Sequence, residues 1–255
     1  MMNEQAWNVF WYGMITALAT GLGAIPFAFI KRTTPKVMGV ANGVAAGLMA
    51  GASFGLLNQA AEIDKRKMLM GMVFGILFIG FTDWVIDKIK KYKLKKDSGL
   101  IEDLPNSFRN DFWKGLLIIL IMTAHSAAEG IGIGTSFGGS VKFGILMTVA
   151  IAIHNIPEGL AISAVLVSKG SKWYQAALWS IITSLPQPLL AVPAFLFVSV
   201  FKPYVPIGLG LAAGAMIWLV FSEIAPESAE QLGGERAATV ITFSLALMLF
   251  IQLFL

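Results

Sequence analysis

Residues 143–168 read FGILMTVAIAIHNIPEGLAISAVLVS. At about 1.5 Å of rise per residue, a helix over this stretch is long enough to cross roughly 30 Å of hydrocarbon. Its one acid is Glu158, and His154 stands four residues before it, so both lie on one helix face, a turn apart. A weaker copy, His125-Ser126-Ala127-Ala128-Glu129-Gly130, sits in the apolar run before it. The two copies hold the only two histidines of the chain. Ionisable groups at the centre of an apolar span are costly, and they mark the place to look for function.

Composition points the same way. The chain has 255 residues, of which 56% are hydrophobic and 13% charged, with a mean hydropathy of +0.74. A soluble domain carries about 25% charge, so this is the composition of an integral membrane protein. The absence of cysteine excludes disulfides, thiolate metal sites and cysteine nucleophiles. A net charge of +4 does not point to nucleic acid, because the basic residues collect in the loops.

Eight spans have the required length, approximately 7–30, 37–59, 68–88, 112–137, 143–168, 173–201, 205–224 and 237–255. The runs are too long for barrel strands and do not alternate, so the expected fold is all-α and polytopic. Of the 19 basic residues, 14 fall in the loops after odd-numbered spans, eight of them between Lys88 and Lys114. Cytoplasmic loops carry such an excess, which places the odd loops inside and both termini outside. The whole of 1–255 reads as one transmembrane domain, with a lysine-rich cytoplasmic connection over about 89–111.

Spans 4 and 5 are antiparallel and joined by a short loop, and His125 and His154 lie 12 and 11 residues from that shared end. Glu129 then lies about 6 Å further out and Glu158 about 6 Å further in. Helical side chains lean toward their own N-terminus, so the two carboxylates converge. Two imidazoles and two carboxylates form a donor set suited to a divalent ion such as Zn²⁺ or Fe²⁺. Pro157 removes a backbone N–H and frees the carbonyl of Ile153, which predicts a kink beside the ligands. The decapeptides HSAAEGIGIG and HNIPEGLAIS match at 4 of 10 places, as an inverted repeat would on antiparallel helices.

These residues resemble the ZIP (Zrt-, Irt-like protein) metal transporters. HNIPEG, its repeat on the preceding span, eight spans and the segment Phe221-Ser222-Glu223-Ile224-Ala225-Pro226-Glu227-Ser228 carry the resemblance, which is strongest to the bacterial GufA-type branch. It covers nearly the whole chain. The resemblance implies import of zinc, or in some members Fe²⁺, Mn²⁺ or Cd²⁺, through a multi-pass protein of the cell membrane (the inner membrane in a Gram-negative cell). It further implies a homodimer and an elevator-like movement of spans 1, 4, 5 and 6 against the rest. By the same resemblance, His125, Glu129, His154 and Glu158 form the primary metal site. Ser126 and Asn155, with a span 6 residue, match a second site in binuclear members. In Ser184-Leu185-Pro186-Gln187-Pro188, however, Gln187 replaces the family's glutamate, and Ser126 replaces an asparagine. One strong site is therefore expected, the second being weak or absent. Glu223, near the inner end of span 7, is a candidate for the pathway.

No phosphate-binding loop or phosphorylated-aspartate loop is present, so transport would run without ATP. The alternative is an intramembrane zinc- or iron-dependent enzyme built on the same donors. It lacks an HExxH sequence, and a diiron oxidase would need more ligands.

Overall fold

The computed structural model of the chain describes residues 2–30, 34–95, 123, 126–168 and 170–254, and every regular element among them is helical. They are α1 (Met2–Leu22), α2 (Pro35–Lys95), α3 (126–139), α4 (Val141–Ser168), α5 (Trp173–Ser184), α6 (Pro186–Val200), α7 (Val205–Leu219), α8 (Ala225–Leu232) and α9 (Gly234–Phe254). Six described stretches are long and apolar enough to cross a membrane. His125, most of the connection over 89–111 and the first part of span 4 lie outside the described residues.

The distribution of polarity suits a lipid solvent. Large apolar side chains face outward, among them Phe29 (86% exposed), Phe243 (74%) and Leu253 (82%). Polar groups such as Thr16, Glu129, His154, Asn155 and Gln187 are fully buried. Water would drive the opposite arrangement, and exposed apolar surface on this scale belongs against hydrocarbon. The protein is a multi-pass membrane protein.

Where the elements depart from the expected spans, local chemistry explains the difference. The connection over 60–67 is helical except at Asp64, which is extended (φ −160°, ψ 105°). Its carboxylate accepts the N–H groups of Arg66 (3.0 Å) and Lys67 (3.1 Å), which caps the second arm of α2. Span 173–201 is broken at Leu185, because neither Pro186 nor Pro188 can donate the next helical bond. Leu185 N instead donates to Ile182 O at 3.2 Å, in a tighter turn. Beyond α7 a π turn over Val220–Ile224 carries the helix on into α8 past Pro226.

Contact registers give the relative directions. Gly39 and Gly43 meet Leu232 and Ser228, a descending order, whereas Gly210 and Gly214 meet Met68 and Met72, an ascending one. The chain therefore reverses at Asp64, and the two arms of α2 run antiparallel. Asn155 and Gly159 meet Thr16 and Thr20, so α1 and α4 are parallel. Gly130 and Gly134 meet Gln187 and Ala191, so α3 and α6 are parallel. Gly13 meets Pro188 while Thr20 meets Ser184, which sets α1 against α5 and α6. It follows that α3 and α4 run in opposite directions, as their repeated motif requires.

Glycine also divides the bundle. Within α1, α3, α4, α5 and α6, backbones touch directly, as at Gly130 with Gln187 and Gly159 with Thr20. The same holds between α2 and α7, as at Gly75 with Leu211 and Gly214 with Met72. Across the boundary, Gly132 and Gly208 face side-chain carbons, those of Ala212 and Thr135. Helices in lipid associate through such close packing, since burial from water no longer drives them together.

A methyl group at Gly75 would overlap the Leu211 carbonyl, whereas Gly234 faces open space. Gly75→Ala is expected to destabilise the detergent-purified protein by about 1–3 kcal/mol, the usual cost of overpacking. Gly234→Ala should melt close to wild type. Equal melting temperatures for the two variants would refute the tight contact between α2 and α7.

Candidate metal centre

The centre is assembled from α3, α4 and α6. On α4, His154 and Glu158 stand one turn apart, both buried, and the backbone stays helical across Pro157. The proline thus withdraws one hydrogen bond without ending the helix. On α3, Glu129 and Ser126 occupy the first described turn and are fully buried. Gln187 enters at the first turn of α6, directly after the break at Leu185. Without that break, α6 would not present its first turn to α3.

Two glycines bring the backbones together. A Cβ at Gly130 would lie 2.6 Å from the Gln187 carbonyl oxygen, and one at Gly159 would overlap the carbonyl of Thr20. Each glycine directly follows the glutamate of its motif. Removing the side chain there lets the neighbouring helix close over the carboxylate.

Glu129, His154 and Glu158 each offer a ligand atom, all within 4.8 Å of one another. Glu129 Oε1 lies 2.5 Å from His154 Nε2, and its Oε2 accepts from Gln187 Nε2 at 2.5 Å. Asn155 Nδ2 donates to Gln187 Oε1 (3.2 Å) and to the Thr16 backbone carbonyl (2.9 Å). Among the described residues, Ser126 Oγ, His154 Nδ1 and Asn155 Oδ1 are buried without a hydrogen-bond partner. Buried polar atoms are rarely left so, and a cluster of them beside two carboxylates fits a site built to receive a cation. The chemistry open to imidazole and carboxylate together is divalent metal ligation. Both ligand types must be deprotonated to bind.

A cavity of about 160 Å³ extends from Glu158. Asn42, Ala161, Ile162, Glu223 and Glu227 contribute to its wall. The structure thus brings Glu129, His154, Glu158, Asn155 and Gln187 to one place, sets Ser126 one turn before Glu129 on α3, and puts Glu223 with Glu158 on one cavity. Asn42, Glu227 and the carbonyl of Thr16 were missed in the sequence. A signal existed for Glu227, four residues after Glu223 and so on the same helical face. Asn42 offered only its polarity in a run of small residues, and a backbone carbonyl offers no sequence signal.

Comparison with known proteins agrees with this chemistry. The family described as "ZIP Zinc transporter" matches residues 102–252. The chain is 42% identical to a "Putative zinc transporter" of Arabidopsis thaliana, over 93% of this chain and 37% of that protein. It therefore spans little more than a third of that relative's length. Zinc transporter GufA of Myxococcus xanthus is 31% identical, over 89% of this chain and 90% of its own. Zinc transporter ZIPB of Bordetella bronchiseptica is 32% identical, over 92% of this chain and 77% of its own.

Removing a side chain that ligates metal costs more than the roughly 10–100-fold typical of supporting residues. In a Zn²⁺ competition titration against a chromophoric chelator, Glu129→Ala and His154→Ala should each weaken binding by more than about 100-fold. Glu223→Ala, further along the cavity, should stay near wild type. Wild-type affinity in Glu129→Ala would remove that residue from the centre.

Proposed function

Because this chain belongs to the ZIP zinc transporter family, we propose that it imports zinc, as a divalent cation, into the cytoplasm without ATP. The observation that carries the proposal is the buried Glu129–His154–Glu158 cluster at the head of a cavity that runs to Glu223 and Glu227. His125 supplies the fourth ligand, which completes the coordination usual for Zn²⁺. Fe²⁺, Mn²⁺ and Cd²⁺ suit the same donors.

Eight spans cross the membrane of the cell, the inner membrane in a Gram-negative cell, with both termini outside. The reversal at Asp64 supports counting α2 as two of them. The cavity lies among the start of α2, the second half of α4, the π turn beyond α7 and the first residues of α8, all of which belong to the basic, cytoplasmic side. The conformation is therefore inward-facing. Glu223 and Glu227, with Asn42, receive the ion as it leaves Glu158. Pro157 loosens α4 beside the ligands, where the carbonyl of Ile153 loses its helical donor.

Transport needs the site to face each side in turn. The division of backbone contacts at glycine supports a carrier body of α1, α3, α4, α5 and α6 that slides on α2, α7, α8 and α9. A seam of side-chain carbons resists sliding less than interlocked backbones do. A homodimer formed through the stationary helices would hold them fixed in the bilayer. The enzyme alternative has no support in the family or its relatives.

In proteoliposomes, wild-type protein should drive Zn²⁺ uptake down its gradient with no nucleotide present. His154→Ala and Glu158→Ala should reduce it to the protein-free level. Glu223→Ala should slow uptake while leaving equilibrium binding intact. No flux from well-folded, metal-binding protein would defeat the proposal. Protons compete with metal for imidazole and carboxylate, so uptake at about pH 5 should fall below that at about pH 7. Equal or faster uptake in acid would argue against histidine ligation.

A further inference from the structure

The hydrogen bonds behind Glu129 have a direction fixed at both ends. At one end stands the backbone carbonyl of Thr16, which only accepts. The group of Asn155 that faces it must be the nitrogen, and this nitrogen also donates to Gln187 Oε1. At the other end stands Glu129, an acceptor when ionised, so the nitrogen of Gln187 turns toward Oε2. Reversing either amide would set donor against donor or acceptor against acceptor in a fully buried place. The orientation of Gln187 is therefore dictated from α1, through α4, across to α3.

We propose that Gln187 is a positioning residue that holds Glu129 to ligation through one oxygen and keeps the centre to a single metal ion. The inference rests on the metal-carrying reading of the site given above. Oε1 of Glu129 faces His154 and belongs to the ligand cluster, while Oε2 is occupied by the Gln187 amide. An amide nitrogen has no lone pair to give a cation and presents partial positive charge. A second ion drawing on Oε2 would meet N–H where it needs oxygen. Two further oxygens, Ser126 Oγ on the turn before Glu129 and Asn155 Oδ1 on the amide that donates to Gln187, are buried without a hydrogen-bond partner among the described residues. One side chain thus separates a one-ion centre from a two-ion centre. A glutamate at this position would still accept from Asn155, and its second oxygen would face Glu129. Two carboxylates would then face each other there, and a second cation would answer their charge.

The test is stoichiometry. Zn²⁺ titrated into purified protein should give one tight equivalent in wild type and two in Gln187→Glu. A single equivalent in folded Gln187→Glu overturns the proposal. Because an added buried acid can prevent folding, a second variant is read with Co²⁺ as the probe. Four-coordinate Co²⁺ has intense visible bands that weaken when another oxygen joins the shell. In Gln187→Ala, Glu129 regains Oε2 for the metal, so the bands should weaken at an unchanged one-equivalent stoichiometry. Affinity there should fall by roughly 10–100-fold, the usual effect of losing a residue that orients a ligand. Wild-type bands and affinity in Gln187→Ala also overturn the proposal. Failure of zinc uptake by wild type that still binds one equivalent would defeat the transport reading and leave this one standing.

Discussion

A carboxylate inside a membrane-spanning bundle has to be answered by positive charge or by hydrogen bonds, and Glu129 and Glu158 are both buried among the helices. Insertion scales put an acid at the centre of a span at roughly 2.5–3.5 kcal/mol, so two side by side are sustained only by strong partners. His154 meets Glu129 from α4 and Gln187 meets it from α6. Asn155 in turn fastens Gln187 to the backbone of α1. Four helices are thus tied together by the need to satisfy one side chain. The same need leaves room for a cation, because a divalent ion is the strongest answer to two neighbouring carboxylates.

Two backbone devices make that arrangement reachable. Glycines placed directly after each glutamate let α6 and α1 approach to backbone contact, which a single methyl would prevent. Prolines on either side of Gln187 stop α5 and start α6 anew, so the amide projects from a first turn. Both devices weaken a helix in water, through lost hydrogen bonds or excess backbone freedom. Inside a packed bundle in lipid, neighbouring helices supply what is lost.

The cavity beyond Glu158 adds direction to the site. Its acids, Glu223 and Glu227, sit on the π turn and the helix that follows, where Pro226 interrupts regular bonding. Such bulges widen a helix by one residue and often accompany function. Here the bulge aims successive acids along one wall. An ion leaving the centre would meet the half-buried carboxylate of Glu223 and then the exposed one of Glu227 rather than bare apolar surface, which lowers the barrier to its release.

The helical class, the membrane solvent and the His-x-x-x-Glu pairs were legible in the sequence because each depends on local spacing. Length and hydropathy predict a span, and a separation of four places His154 and Glu158 on one face whatever else the chain does. The antiparallel setting of α3 and α4 was also legible, from the short loop between them. What only the tertiary structure decided is how the helices register against one another. That register depends on which small residue meets which backbone, as at Gly130 with Gln187 and Gly159 with Thr20, and no local pattern encodes it. From it follow the contact of Gln187 with Glu129, the orientation of its amide and the meeting of Asn42 with Glu227 on one cavity. The break at Leu185 was hidden for a related reason, and so was the helical course of the connection over 60–67, which turns only at Asp64. Proline in an apolar run permits a helix to stop, and a polar connection permits one to continue, but packing against the neighbours decides which.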